Sequence, residues 1–166
     1  MPGLPPFDHV VREHGAVVLR VCRAVLGGDA EADDAWQETF LAALRAYPDL
    51  APGTNLQAWL VTVAHHKALD VVRRRARLPL AAPSTGDATA TPDEPAPDDP
   101  ARAAEDRVLR DAVAALPERQ RWAVALHHLG GLSWAEVATL VGGTEQAARR
   151  AGADGVAALR RTGGWR

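Results

Sequence analysis

The sequence is poor in aromatic residues, has a single cysteine and contains no long apolar run, and each shortage removes a class of protein. Aromatics make up 5% of the 166 residues, while alanine, leucine, valine and arginine dominate. That mix favours helices, since strands draw on aromatic and β-branched side chains. Cys22 stands alone in a helical apolar pattern, so neither a disulfide nor a cysteine metal site is available. No stretch approaches the roughly 18 apolar residues a membrane span needs. The N-terminus also lacks the basic-then-apolar layout of a signal peptide. A cytoplasmic protein without membrane insertion is the expectation.

The formal charge of −2 conceals an uneven distribution. Residues 1–78 carry nine acids and nine bases, residues 79–107 seven and two, and residues 108–166 five and eight. Nucleic-acid contact is therefore expected to be local. Residues 79–100 hold six prolines and no valine, isoleucine or aromatic residue. Such a stretch cannot bury enough apolar surface to offset its ordering entropy, and reads as a disordered acidic linker. It separates a module at 1–78 from one at 101–166.

Both modules read as helical. Phe7, Val10, Val11, Val17, Val18, Val21, Val25 and Leu26 follow helical spacing up to Gly27–Gly28. A second helix is predicted from about Ala30 to Tyr47, ended by Pro48. A third starts near Thr54, with Thr54 and Gln57 spaced as a capping box, and ends in the run Arg73, Arg74, Arg75, Arg77. In the second module Pro100 suits a first helical turn, Pro117 interrupts one apolar stripe and Gly130–Gly131 closes the next. Ser133 and Glu136 form a second capping-box pattern, and Gly142–Gly143 leads into a last helix from Thr144 to about Arg161. A short helix, a glycine turn and another helix fit a helix-turn-helix. The fold class expected is all-α: an N-terminal three- to four-helix bundle and a C-terminal helix-turn-helix.

Three stretches carry a resemblance. Ala32-Asp33-Asp34-Ala35-Trp36-Gln37-Glu38-Thr39-Phe40 resembles the polymerase-binding helix of extracytoplasmic-function (ECF) sigma factors of the sigma-70 family. Ala58-Trp59-Leu60 through Asp70-Val71-Val72-Arg73-Arg74 resembles the promoter-melting helix that follows it. Leu116-Pro117-Glu118-Arg119-Gln120-Arg121 and Gly131-Leu132-Ser133-Trp134-Ala135-Glu136-Val137-Ala138 resemble the family's C-terminal helix-turn-helix.

The resemblance implies a sigma factor whose partners are the large subunits of core RNA polymerase, promoter DNA and an anti-sigma factor. It also implies that the acidic linker threads the polymerase's active-site and RNA-exit path, although a solvated tether suffices to explain its composition and is the reading the sequence alone favours. The polymerase contact falls on Asp33, Asp34, Gln37, Glu38 and Leu41. Most of these lie three or four residues apart on one helical face. Minus-ten recognition and melting fall on Asn55, Trp59, His65, His66, Lys67, Arg73, Arg74 and Arg77. Cations neutralise phosphates and an aromatic face can hold an unstacked base. Trp59 borders the apolar stripe, so a core role remains equally open. Where the family usually has an arginine–asparagine pair this chain has His65-His66.

Minus-thirty-five contact falls on Ser133, Trp134, Glu145, Gln146, Arg149 and Arg150. The recognition helix is atypical: Ala151, Gly152, Ala153 and Asp154 follow Arg150 where relatives carry basic or polar groups. Gly152 and Gly155 each lower helix propensity by about 1 kcal/mol, and Ala148 and Gly152 replace larger core groups, so this helix is expected to be loosely packed.

Adjacent histidines point to different helix faces, so neither His65-His66 nor His127-His128 has the spacing of a helical zinc site. No metal, cofactor or enzymatic activity is expected. The competing reading is a helix-turn-helix regulator that never engages polymerase; it leaves the Asp34–Glu38 face without a role.

Overall fold

The computed structural model describes residues 3–78 and 99–163. Among these residues there is no strand, and no helix is long and apolar enough to cross a membrane. The expected linker lies outside the described residues except for Asp99 and Pro100. These two start a helix instead: Pro100 takes its first position and the Asp99 carboxylate accepts the Ala101 amide at 2.9 Å.

Helix α1 (Phe7–Leu26) buries Val10, Val18, Val21, Cys22 and Val25, and Gly27 ends it in the left-handed region at φ 72°. Helix α2 (Asp29–Ala46) lies against it through Ala32, Ala35, Thr39, Phe40 and Ala43. Trp36 packs beside Gly15 of α1, and its indole N–H donates to the Gly15 carbonyl at 2.9 Å. Phe7, Phe40 and Tyr47 extend this aromatic cluster, and the Tyr47 hydroxyl donates to the Pro5 carbonyl.

Helix α3 (Leu56–Arg77) buries Leu60, Val61, Ala64, His65, Ala68 and Val71. Its N-cap departs from the expected capping box. Asn55 accepts the Ala58 amide at 3.1 Å, while the Thr54 hydroxyl donates to the Ala51 carbonyl. The Gln57 amide instead donates to the carbonyl of Gly130, 73 residues away. A three-residue spacing fits both uses; the tertiary partner won.

The second module comprises α4 (Pro100–Ala114), α5 (Glu118–Val124), α6 (Trp134–Val141) and α7 (Glu145–Arg161). Between α5 and α6 the chain continues as a π-helical stretch over Ala125–Leu129. The Ser133–Glu136 capping box forms as expected. Gly142 and Gly143 adopt φ 87° and 99° in the turn, conformations that cost an L residue with a Cβ. Thr144 caps α7 by accepting the Ala147 amide.

The two modules share one apolar core. Trp122 of α5 meets His65 of α3, Gly130 sits against Val61, and Arg110 of α4 pairs with Asp29 at 3.0 Å.

The expected looseness of α7 is overturned. A Cβ on Gly152 would lie 2.2 Å from Cη2 of Trp134, and one on Gly155 would lie 2.7 Å from a methyl of Val124. Both glycines are buried because neighbouring side chains occupy the space. Gly152→Ala gains about 1 kcal/mol of helix propensity, but overpacking costs about 1–3 kcal/mol. The net result is a loss of up to about 2 kcal/mol. A urea-unfolding midpoint equal to or above wild type contradicts this account of α7.

Candidate nucleic-acid and polymerase interfaces

Three surfaces carry the candidate residues. On α2, Asp34, Gln37 and Glu38 are exposed, and Leu41 and Leu44 are each 52% exposed. Asp33 leaves this face: it is half-buried, and its charge adds to the effect of burial in pushing the Cys22 thiol up to about 12. The polymerase candidates therefore reduce to four side chains on one stripe, with Leu44 one turn beyond Leu41.

A groove of about 340 Å³ runs from this stripe to the end of α3, where Arg74, Arg75 and Leu78 line it. Arg75 is tied down, donating to the Leu26 carbonyl at 2.9 Å and pairing with Glu31. Arg74 faces the acidic groove, which separates it from the other arginines expected beside DNA.

On the outer side of α3, a rotation of 100° per residue places Trp59, His66, Arg73 and Arg77 within about 40° of one another. His66, Arg73 and Arg77 are exposed and Trp59 is half-buried. This stripe combines an aromatic surface with two guanidinium groups. Lys67 lies on the neighbouring stripe and is half-buried. Asn55, at the head of the helix, already uses its side-chain oxygen as the N-cap.

His65 departs from expectation. It is 3% exposed, with its ring edge-on to Trp122 at a centroid separation of 4.5 Å and an interplanar angle of 78°. It contacts the second module and offers nothing to DNA in this arrangement. Burial foremost, then the charges of His66 and Arg73, lowers its pKa to about 4, against a smaller opposing contribution from the Leu140 main chain. The histidine pair thus splits into one packing residue and one surface residue, as the helical rotation between adjacent positions requires.

In the helix-turn-helix, Glu145, Gln146, Arg149 and Arg150 are exposed on the first turns of α7, where a recognition helix presents its readers. Arg149 pairs with Glu145 at 2.9 Å. Ser133 and Trp134 are committed elsewhere. The Ser133 hydroxyl serves the cap, and Trp134 stacks on His127 at 3.7 Å and 18° while its far edge covers Gly152. Arg119 was not singled out in sequence: it donates to the Gly142 carbonyl at 2.9 Å and braces the turn from 23 residues away. No local spacing signals such a contact.

With this geometry in view, residues 10–78 match Sigma-70 region 2 and residues 106–159 match Sigma-70, region 4. Region 2 followed by a helix-turn-helix region 4 defines a protein of the sigma-70 class. Relatives sharpen this. The chain is 35% identical over 132 residues to SigL of Mycobacterium tuberculosis, an ECF RNA polymerase sigma factor, covering 78% of this chain and 73% of the relative. It is 33% identical to the RNA polymerase sigma factor CarQ of Myxococcus xanthus, covering 86% and 80%. The ECF sigma factor SigE of Mycolicibacterium smegmatis is 32% identical over 143 residues; those cover 84% of this chain and 54% of SigE. The fold is shared with CnrH in complex with the cytosolic domain of CnrY, at a TM-score of 0.64, 22% identity and coverage of 94% and 86%. It is also shared with RpoE of Bartonella quintana in complex with the anti-sigma factor NepR, at a TM-score of 0.65, 17% identity and coverage of 93% of each chain. The chain belongs to the ECF RNA polymerase sigma factors.

The two kinds of arginine at the end of α3 can be told apart. Arg75→Ala removes a bond to the Leu26 carbonyl and a pairing with Glu31, and lowers stability by about 1 kcal/mol. Arg77→Ala leaves stability within about 0.5 kcal/mol, as for an exposed surface group. Equal unfolding midpoints for the two variants would remove the structural role given to Arg75.

Proposed function

We propose that this chain is a non-enzymatic initiation factor that docks on core RNA polymerase through α2, engages the minus-ten element with α3 and contacts the minus-thirty-five element through α7. The carrying observation is the pair of surfaces on the first module: an exposed polar and leucine stripe on α2 beside an aromatic and cationic stripe on α3. A regulator that only binds DNA uses the second and leaves the first without a purpose. The proposal places the protein in the cytoplasm with the polymerase. Because the sigma factor RpoE, which shares this fold, occurs in complex with the anti-sigma factor NepR, an anti-sigma factor is proposed as a further partner.

The division of labour follows from charge. His66, Arg73 and Arg77 follow Trp59 along one face of α3, the last about 27 Å on at 1.5 Å per residue, suiting a melted strand whose phosphates bind cations and whose bases stack. On α7, Glu145 neutralises Arg149, and Ala153 and Asp154 offer nothing to phosphate. Specificity is therefore assigned mainly to the minus-ten contact, with Gln146 and Arg150 as the principal upstream contacts.

Reversing Asp34 and Glu38 to lysine is expected to weaken core-enzyme binding at least tenfold in a pull-down titration, with helix content unchanged. Unaltered affinity sinks the α2 assignment. Replacing Arg73 and Arg77 with alanine removes two phosphate contacts, reducing the slope of log K against log salt for promoter binding by about 1–2. A slope and a permanganate footprint identical to wild type reduce these arginines to solubilising groups.

A further inference from the structure

In the closed arrangement the second module covers Val61 and His65 of α3. What holds the two modules together therefore governs how much of α3 is accessible.

The junction is carried chiefly by α1, which packs on α4, α5 and Ala125–Leu129, and α3 adds a smaller contact beside it. Val61 lies against Gly130, Gln57 donates to the Gly130 carbonyl at 3.1 Å, and His65 lies edge-on to Trp122. Besides Cys22, His65 is the sole charged or titratable side chain in the buried set among the described residues. Its Nδ1 is buried and makes no hydrogen bond. With Leu69, Trp122, Leu140 and Val141 it lines a cavity of about 400 Å³ at the seam. The charged groups that face it are few. His66 and Arg73 come from α3, and Glu118 and Arg119 come from α5 at the cavity rim. From α6 come Leu140 and Val141, which do not titrate. A neutral imidazole fits this seat, whereas an imidazolium meets three cationic or partly cationic neighbours and one carboxylate.

We propose that the seam between the modules is an acid-labile latch in which protonation of His65 drives α3 and the second module apart.

The direction follows from linkage. Closure lowers the His65 pKa from 6.5 to about 4, chiefly through burial. The open state therefore binds the proton more readily, and falling pH favours opening. Closure is fully supported above about pH 6.5 and progressively lost as pH falls from there towards 4. Relative to neutral and higher pH, the open-to-closed ratio rises about tenfold at pH 5.5 and about thirtyfold at pH 5. An imidazolium against the Trp122 ring gains some cation–π attraction. Burial of the charge away from water and the neighbouring cationic groups oppose it. The proposal concerns the chain alone and stands or falls separately from any promoter or polymerase contact.

The test uses the full chain without polymerase or DNA. Spin labels are attached through Arg45→Cys on α2 and Ala157→Cys on α7, both exposed positions. Cys22 is buried, with its thiol pushed up to about 12, and so stays unlabelled. Electron–electron distance distributions are recorded from pH 7.5 to 4.5, with circular dichroism alongside. The expected result is one short distance at pH 7.5 and a growing long-distance population below pH 6, with helix content retained. His65→Leu and His65→Gln, neutral at every pH, should remove the response; two variants guard against either one misfolding. The latch is overturned if the wild-type distribution is open at pH 7.5 or stays closed at pH 4.5. It is equally overturned if both variants open in parallel with wild type, or if helix content falls before the distance lengthens.

Discussion

The packing of α3 along two sides sets the terms for everything else in the molecule. One flank, through Leu60, Ala64 and Val71, is held by α1 and α2; the other, through Val61 and His65, is held by the second module. What remains is a narrow outer face, and on it lie Trp59, His66, Arg73 and Arg77. A helix enclosed on two flanks presents its remaining side chains in a fixed orientation, which suits capture of an irregular single strand. The same enclosure ties that surface to the neighbouring groove, because Arg74 and Arg75 leave the helix on the side of α2. The proposed polymerase stripe on α2 and the proposed strand-capture face of α3 therefore lie on adjoining, mutually packed helices rather than on independent units.

Much of this architecture was legible in the chain itself. The apolar periodicity of α1, the Pro100 start of α4, the Ser133–Glu136 cap and the Gly142–Gly143 turn are local signals, and each appears where residue chemistry places it. What was illegible is non-local. Gln57 has the spacing of a cap and the function of a cross-module hydrogen bond, and nothing within four residues distinguishes the two. His65 and His66 are adjacent and chemically identical, yet one is buried and one exposed because the second module covers only one rotation of the helix. Asp33 reads as part of an acidic face until the position of α1 turns it towards Cys22. Candidate site residues were thus recognisable by type, while their division into contact and packing roles required the neighbours.

The recognition helix shows the same limit in energetic form. Counted by propensity, Gly152 and Gly155 weaken α7. Counted by volume, they are the positions at which Trp134 and Val124 enter, so the absent side chains are supplied from outside the helix. Trp134 also stacks on His127, whose Nδ1 in turn lies 2.7 Å from the Leu132 carbonyl beside the cap of α6. A large aromatic here replaces several smaller core groups, and glycines opposite it are the complementary half of that exchange. An unusual recognition helix and an unusual tryptophan are one packing solution, so neither can be changed alone at small cost. The consequence for DNA reading is specific. The tryptophan is half-buried and committed to packing on His127 and Gly152, and the candidate contacts on α7 are the exposed polar side chains of its first two turns, one of whose arginines is already shared with Glu145.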